Sequence, residues 1–289
     1  MHPHVEQLLA RVPIITDGAW GTQLQARGLG MGEFPDLWNL THPDRVTQVA
    51  RAYVEAGSQI ILTNTFGANR IRLSQEAATE KLDDINRRGV EISLAAAGAI
   101  ARVFASIGPS GKMLLSGDTS AEELQNAFGE QARALAKAGA HGLVIETMSD
   151  LEEARLAVAA ARETGLPVVA CMVFDSGKDK DRTMMGQTPE QAAAALTEAG
   201  ADVIGANCGQ GISGFVSICR RLHAATGRPI WIKANAGLPT VVEGQPLYHV
   251  TPEEFAGFVP ELVTAGASFI GGCCGTSPEF IRAVVTKAV

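Results

Sequence analysis

Three cysteines stand where chemistry would be expected. Cys273 and Cys274 lie between glycines in Gly271-Gly272-Cys273-Cys274-Gly275-Thr276, just past the apolar run Ala267-Ser268-Phe269-Ile270, and Cys208 closes the similar run Val203-Ile204-Gly205-Ala206-Asn207-Cys208. Three thiolates can hold one zinc ion and leave a fourth position open, the arrangement of a working rather than a structural zinc. Neighbouring side chains on a regular strand point to opposite faces, so Cys273 and Cys274 can share a metal only where the strand breaks, and flanking glycines make such a break cheap. The competing readings are a Cys273–Cys274 redox pair or buried structural thiols. Cys171, in mid-strand, and Cys219, on a helix beside Arg220 and Arg221, read as packing.

Two acids also end apolar runs. Asp17 follows Pro13-Ile14-Ile15-Thr16, and Glu146 follows Leu143-Val144-Ile145. Such acids can bind an ammonium group or act as acid and base. Helix capping competes evenly for Asp17, whereas Glu146 has no capping role in view. Backbone N–H groups around Gly18-Ala19 or Gly108 can receive a carboxylate. The Asn235 amide oxygen can fill an open zinc position weakly, against a plain loop-capping role before Gly237. Lys233 shares a strand face with Asn235 and reads either as an interior charge or as a site residue. The six histidines show no metal spacing.

These residues need a scaffold that gathers strand ends. Eight apolar runs recur: Pro13 to Asp17, Gln59 to Thr65, Arg102 to Gly108, Gly142 to Thr147, Pro167 to Phe174, Val203 to Cys208, Pro229 to Asn235 and Ser268 to Cys273. They lack polar alternation, as strands buried on both faces of a parallel sheet do. Helical patterns lie between them. Their start signals are Thr41-His42-Pro43-Asp44, a capping box at Ser149 to Glu152, Thr188-Pro189-Glu190-Gln191, Thr251-Pro252-Glu253-Glu254 and Ser277-Pro278-Glu279-Phe280. Several end in Ala-Gly, at Gly57, Gly139, Gly200 and Gly266, where glycine supplies a left-handed turn. The alternation predicts a single α/β domain over 1–289, a (β/α)8 TIM-type barrel. A doubly wound sheet is the rival, but no glycine-rich dinucleotide fingerprint occurs. Two long excursions, Trp20 to Leu40 and Ala236 to Tyr248, read as loops over the site. The polar, glycine-rich and metal-binding residues all fall at the C-terminal ends of the runs, where barrel chemistry collects.

With 46% hydrophobic residues, the 289-residue chain buries a sizeable core. A net charge of -7 with no basic run argues against a nucleic-acid partner. No apolar run is long enough to span a membrane, and the first residues lack the layout of a signal peptide. An odd count of five cysteines favours reduced thiols and a cytoplasmic setting.

Together the motifs resemble the homocysteine-binding zinc module of the homocysteine S-methyltransferases, most of all the N-terminal module of cobalamin-dependent methionine synthase. The carrying residues are Asp17 to Thr22, Leu40 to Pro43, Thr63 to Asn69, Ser106 to Pro109, Ile145 to Thr147, Gly186-Gln187, Asn207-Cys208, Asn235 to Pro239 and Gly271 to Thr276. The resemblance implies a barrel in which Cys208, Cys273 and Cys274 bind zinc. It implies that Asp17 and Glu146 hold the substrate ammonium, within a pocket that also includes Gly18, Ala19 and Thr65, and that Asn235 ligates zinc before substrate arrives. The implied reaction is methylation of homocysteine, held as a zinc thiolate, to methionine. The donor is a small onium compound or a methyl-corrinoid protein. No Asp-x-His-x-x-Gly cobalamin signature occurs, so a corrinoid methyl would come on another protein. Departures from the family pattern are Ala105, Ser110, the charged stretch Asp175 to Arg182 and Gly209-Gln210-Gly211. They leave open a zinc methyltransferase acting on a different donor or thiol with a separate corrinoid protein. A non-catalytic zinc or thiol sensor is the third reading, which the presence of both acids disfavours.

Overall fold

The computed structural model describes residues 1–242 and 245–288. Eight parallel strands form one sheet: β1 (Ile14–Ile15), β2 (Ile60–Ile61), β3 (Arg102–Ile107), β4 (Gly142–Met148), β5 (Val168–Met172), β6 (Val203–Cys208), β7 (Ile230–Ala234) and β8 (Ala267–Gly272). The row runs β1-β8-β7-β6-β5-β4-β3-β2, and its two ends meet through a parallel bridge between Thr16 and Ile60. The sheet therefore curls into a (β/α)8 barrel; a doubly wound sheet would leave its edges apart. Every predicted run contains a strand, but β1 and β2 keep only two residues of ladder each. The reason is local. The Leu62 N–H, next along β2, donates to the Asp17 carboxylate at 2.7 Å instead of to a neighbouring strand.

Strand alternation divides the apolar residues between two cores. Facing inward are Ile14, Ile60, Leu62, Phe104, Val144, Val169, Cys171, Val203, Trp231 and Phe269. Trp231 fills the middle, its ring 6.3 Å from Phe104 and 5.1 Å from Phe269, centroid to centroid. The helix Pro3–Leu8 adds the fully buried Val5 to this cluster. Outward-facing neighbours such as Ile15, Val103, Leu143 and Ile145 pack against the helices. Two residues on from the inward apolar set, the same faces carry Ser106, Glu146, Lys233 and Gly271. Two further on they carry Asn207, Asn235 and Cys273. The interior thus changes from an apolar plug to a charged layer to a thiol-bearing mouth.

The helix signals are met with two corrections. Thr188 and Thr251 form full capping boxes with Gln191 and Glu254. At Leu151–Arg162 the cap is Asp150, which accepts from the Glu152 N–H at 2.9 Å; Ser149 lies one residue too early. Thr41 caps nothing, since its hydroxyl donates back to the Leu37 carbonyl at 3.2 Å. Gly57, Gly139, Gly200 and Gly266 all adopt left-handed φ, from 97° to 104°.

The long excursions are structured. Between Trp20 and Leu40 the chain forms short helical turns, pinned to the end of β2 by a reciprocal amide pair. Asn39 donates to the Asn64 carbonyl at 2.7 Å, and Asn64 donates to the Asn39 side chain at 3.0 Å. The described part of Ala236 to Tyr248 holds a hairpin of Thr240–Val242 with Gln245–Leu247; residues 243 and 244 lie outside the described residues. The stretch 175–182 closes on itself through a Ser176–Arg182 bridge and is anchored by Arg221, which binds both Asp181 and Glu190. No helix among the described residues is long and apolar enough to cross a membrane.

Candidate active site

Cys208 ends β6 with φ at +62°, in the left-handed region that a non-glycine residue seldom adopts. Thr147, at the end of β4, does the same at +63°. Such strain costs about 1–3 kcal/mol per residue and persists only where the surroundings over-determine it. Asn207 supplies that constraint. Its Oδ1 accepts from the Thr147 N–H at 2.7 Å, and its Nδ2 donates to the Thr147 hydroxyl at 2.7 Å. The same Nδ2 lies 3.6 Å from the Cys208 sulfur and 3.7 Å from the Cys273 sulfur.

The break after β8 has a defined shape. The Cys273 N–H donates to Ala234 at 2.7 Å, Ala236 donates to the Cys274 carbonyl at 2.9 Å, and Thr276 turns back onto the Cys273 carbonyl at 3.1 Å. Gly271 permits the approach of β1, because a Cβ there would fall 2.0 Å from the Thr16 hydroxyl. With the regular pleat ended, adjacent cysteines reach one point. The Cys208, Cys273 and Cys274 sulfurs all lie within 4.8 Å of one another, with Cys208 and Cys273 3.1 Å apart. Hydrogen bonds from Cys208 and Cys273 hold the Cys274 thiol down to about 3. The Cys208 thiol is held well above its ordinary range by its bonds to Cys273 and Cys274 and by burial.

The donor set fits a soft metal: three sulfurs, with amide N–H groups directed at two of them. Asn235 adds a further oxygen. Its Nδ2 donates to the Gly209 carbonyl at 2.8 Å, while its Oδ1 is buried with no partner among the described residues. Asn235 and Cys208 line an open cavity of about 540 Å³, together with Thr147, Asp175, Ser176 and Leu238. Among the described residues no other cluster of His, Cys, Asp and Glu has metal-ligand spacing.

In the charged layer, Glu146 accepts from the Ser106 hydroxyl at 2.5 Å, and its second oxygen has no partner among the described residues. Burial raises its pKa to about 7, against the opposing pull of the Lys233 ammonium. Asp17 is fully buried, with both oxygens engaged. One oxygen accepts from Trp20 Nε1 and the Leu62 N–H, each at 2.7 Å, and the other pairs with Lys233 Nζ. Burial alone would lower the Lys233 pKa, but the Asp17 and Glu146 carboxylates outweigh it and hold it raised.

Several residues expected to meet substrate also have partners within the fold. The Ala19 N–H donates to the Thr276 hydroxyl at 3.1 Å, and the Gly108 N–H donates to the Phe66 carbonyl at 2.8 Å. Thr65 pairs with Thr63 at 2.6 Å and donates to the Ser106 carbonyl at 2.8 Å. Gly18 packs so closely on Tyr53 that a Cβ would sit 2.7 Å from its hydroxyl. Conversely, the sequence reading left Asn207 without a site role and Lys233 undecided. Alternation from Trp231 carried the signal for an inward Lys233; nothing local signalled Asn207.

A model of the homocysteine S-methyltransferase family matches residues 14–288. The chain is 31% identical to a methionine synthase of Mycobacterium leprae and 30% identical to one of Mycobacterium tuberculosis. Each match covers 96% of this chain but only 24% and 25% of those proteins, so the chain spans about a quarter of the relatives' length. In fold it is similar to the homocysteine methyltransferase MmuM from Escherichia coli in its metallated form. The TM-score is 0.82 at 23% identity, over 98% of this chain and 99% of that one. The oxidized form of the same protein matches at a TM-score of 0.81 and 24% identity. With its thiol trio at the mouth of this barrel, the chain belongs to the homocysteine S-methyltransferase family of methyl-transferring enzymes.

Proposed function

We propose that residues 1–289 form one barrel domain that methylates homocysteine to methionine with a zinc ion held by Cys208, Cys273 and Cys274. The observation that carries this reading is the convergence of three sulfurs at the barrel mouth, one layer above a buried acid with a free oxygen. Zinc, when bound, acts as a Lewis acid that lowers the pKa of a substrate thiol and so supplies a thiolate at neutral pH. The chain's own residues do the rest. Asn207 orients two sulfurs through its Nδ2. Asn235 offers its unpartnered Oδ1 beside Cys208 until substrate arrives. Glu146 receives the substrate ammonium on its open oxygen, and Asp17 acts through Lys233 rather than directly. The loops 20–40 and 175–182 limit water at the mouth. The substrate sulfur then attacks the methyl carbon in line with its bond to the donor. A sulfur–carbon bond forms, the donor–carbon bond breaks, and the electron pair leaves with the donor. All five cysteines are free, which suits a reducing compartment such as the cytoplasm.

The test is metal analysis of protein purified under reducing conditions, followed by turnover of homocysteine with onium and methyl-corrinoid donors. The expected result is about one zinc per chain, lost in Cys273→Ala, and methionine formed with one of the donors. Protein that neither contains nor takes up zinc would sink the proposal. So would a zinc-loaded protein that methylates homocysteine from neither donor class.

A further inference from the structure

Displacement at a methyl carbon puts the attacking sulfur on one side and the leaving group on the other, in line. In the proposed site the sulfur takes the place beside Cys208 to which Asn235 offers its Oδ1, with its amino-acid end inward, toward Glu146. The leaving group therefore belongs outward, in the cavity of about 540 Å³ that Cys208 and Asn235 share with Asp175, Ser176, Met184 and Leu238. Small ligands fill cavities of that size. Its wall has a definite character. Asp175 is the only carboxylate lining it, and no Lys, Arg or His does so among the described residues. One Asp175 oxygen accepts from the Ser176 hydroxyl at 3.0 Å, and the other has no partner among the described residues. Nor does Asp175 form an ion pair among them, although Lys178, Lys180 and Arg182 follow it closely; Arg182 and Arg221 turn to Asp181 instead. The backbone under the carboxylate is fixed, since the Asp175 and Ser176 N–H groups both donate to the Arg182 carbonyl, at 3.1 and 3.0 Å. Met184 and Leu238 add apolar surface to the same cavity and are 55% and 59% exposed.

A methyl onium ion, whether sulfonium or quaternary ammonium, is a cation sheathed in methyl groups. It has no N–H or O–H to donate, so a site recognises it by a nearby negative charge and by apolar contact. We infer that Asp175 selects a small methyl onium ion as the donor, with Met184 and Leu238 against its methyl groups. This role rests on the homocysteine methylation proposed above. The charges balance. The substrate thiolate attacks the methyl carbon, a sulfur–carbon bond forms and the carbon–onium bond breaks. Its electron pair stays on the onium atom, which leaves as a neutral thioether or amine. Asp175 thus attracts the donor and has no charge to hold in the product. The positive charge is already fading in the transition state, so Asp175 stabilises that state less than it stabilises the bound donor. Its loss is therefore felt in KM, with kcat unreduced.

The experiment gives zinc-loaded protein homocysteine and one of three methyl donors: trimethylsulfonium, tetramethylammonium or the neutral methyl methanesulfonate. Methionine formation, with the uncatalysed rate subtracted, yields KM and kcat. Wild type is expected to use at least one of the two cations, and the one used names the onium atom. In Asp175→Asn the KM for that cation is expected to rise about 5- to 100-fold, the worth of one opposite charge between full hydration and near-surface screening. The ratio of its kcat/KM to that for methyl methanesulfonate falls by the same factor, with kcat unreduced. Asp175→Glu keeps the charge and is expected to restore most of the ratio. Salt is expected to raise the wild-type KM for the cation by screening the same charge. An unchanged KM for the cation in Asp175→Asn would overturn the inference. So would an equal fall in kcat with charged and neutral donors, which would make Asp175 a loop fastener. Methionine formed from a methyl-corrinoid protein or from methyl methanesulfonate, but from neither cation, would overturn it too, with the methyltransferase reading left standing. Protein that holds no zinc, or makes methionine from none of these donors, removes that reading instead, and this inference with it.

Discussion

The Asn207 amide joins four atoms across the mouth: the Thr147 N–H and hydroxyl and two cysteine sulfurs. It thus holds β4 and β6 in the left-handed turns that present Cys208. Removing it leaves a partly buried backbone N–H unmatched, at a cost of at most about 1–3 kcal/mol. It also strips the sulfurs of the N–H groups that orient them, a change that typically weakens metal binding about 10- to 100-fold. Asn207→Ala is therefore expected to show both effects, read by urea denaturation and by chelator competition. Unchanged zinc affinity would reduce Asn207 to a strand-end fastener. In the proposed function Glu146 acts on the organic substrate and not on the metal. Glu146→Gln is expected to raise the homocysteine KM about 10- to 100-fold, on the loss of one charge-assisted bond, with zinc content unchanged. Loss of zinc in that variant would mean that Glu146 supports the metal site instead.

Among the elements, the loop from Trp20 to Leu40 carries a buried charge of its own. Asp36 accepts from the Gly67 N–H at 2.9 Å, and burial raises its pKa to about 7. A carboxyl whose pKa is higher folded than unfolded contributes stability below its unfolded pKa, near 4, and that contribution is lost as pH rises through about 7. Asp36→Asn keeps the acceptor and abolishes the titration. Its stability relative to wild type should rise from pH 4 and level off above pH 7, by about 4 kcal/mol at most. Urea midpoints at pH 4.5 and pH 8 measure this. A difference that does not vary with pH would show that Asp36 has no raised pKa in the folded protein.

For the whole molecule, barrel closure and the proposed metal site are one event. Cys208 arrives on β6 and Cys273 on β8, with β7 between them, so an ion held by both clamps three neighbouring strands. A ligand that binds only the folded state stabilises it by mass action, by about 2.7 kcal/mol at a hundredfold excess over Kd. Chelator-treated protein should therefore melt lower than zinc-loaded protein, in one transition, and Cys208→Ser should melt at one temperature with or without chelator. A melting temperature in the wild type that ignores chelator, or two separated transitions, would contradict a metal integrated into one barrel.

What the sequence determined by itself was periodic or local. The eight apolar runs, the Thr188 and Thr251 caps and the glycines with left-handed φ follow from side-chain alternation and short-range backbone sterics, and they sufficed for a (β/α)8 barrel. The cysteine motif was legible because glycines on both sides signalled a break in the strand. Only the tertiary structure decided how the polar groups share partners. Asp17 and Lys233 are 216 residues apart and meet only when the barrel closes. The donors of Ala19 and Gly108 are taken by Thr276 and by the carbonyl of Phe66, on neighbouring loops of the rim. Cys208 could not be foreseen in a left-handed turn, since the amide that over-determines it reaches across to the end of β4. Hydrogen-bond partnership inside a barrel is a property of closure, and closure leaves no mark on any single stretch of chain.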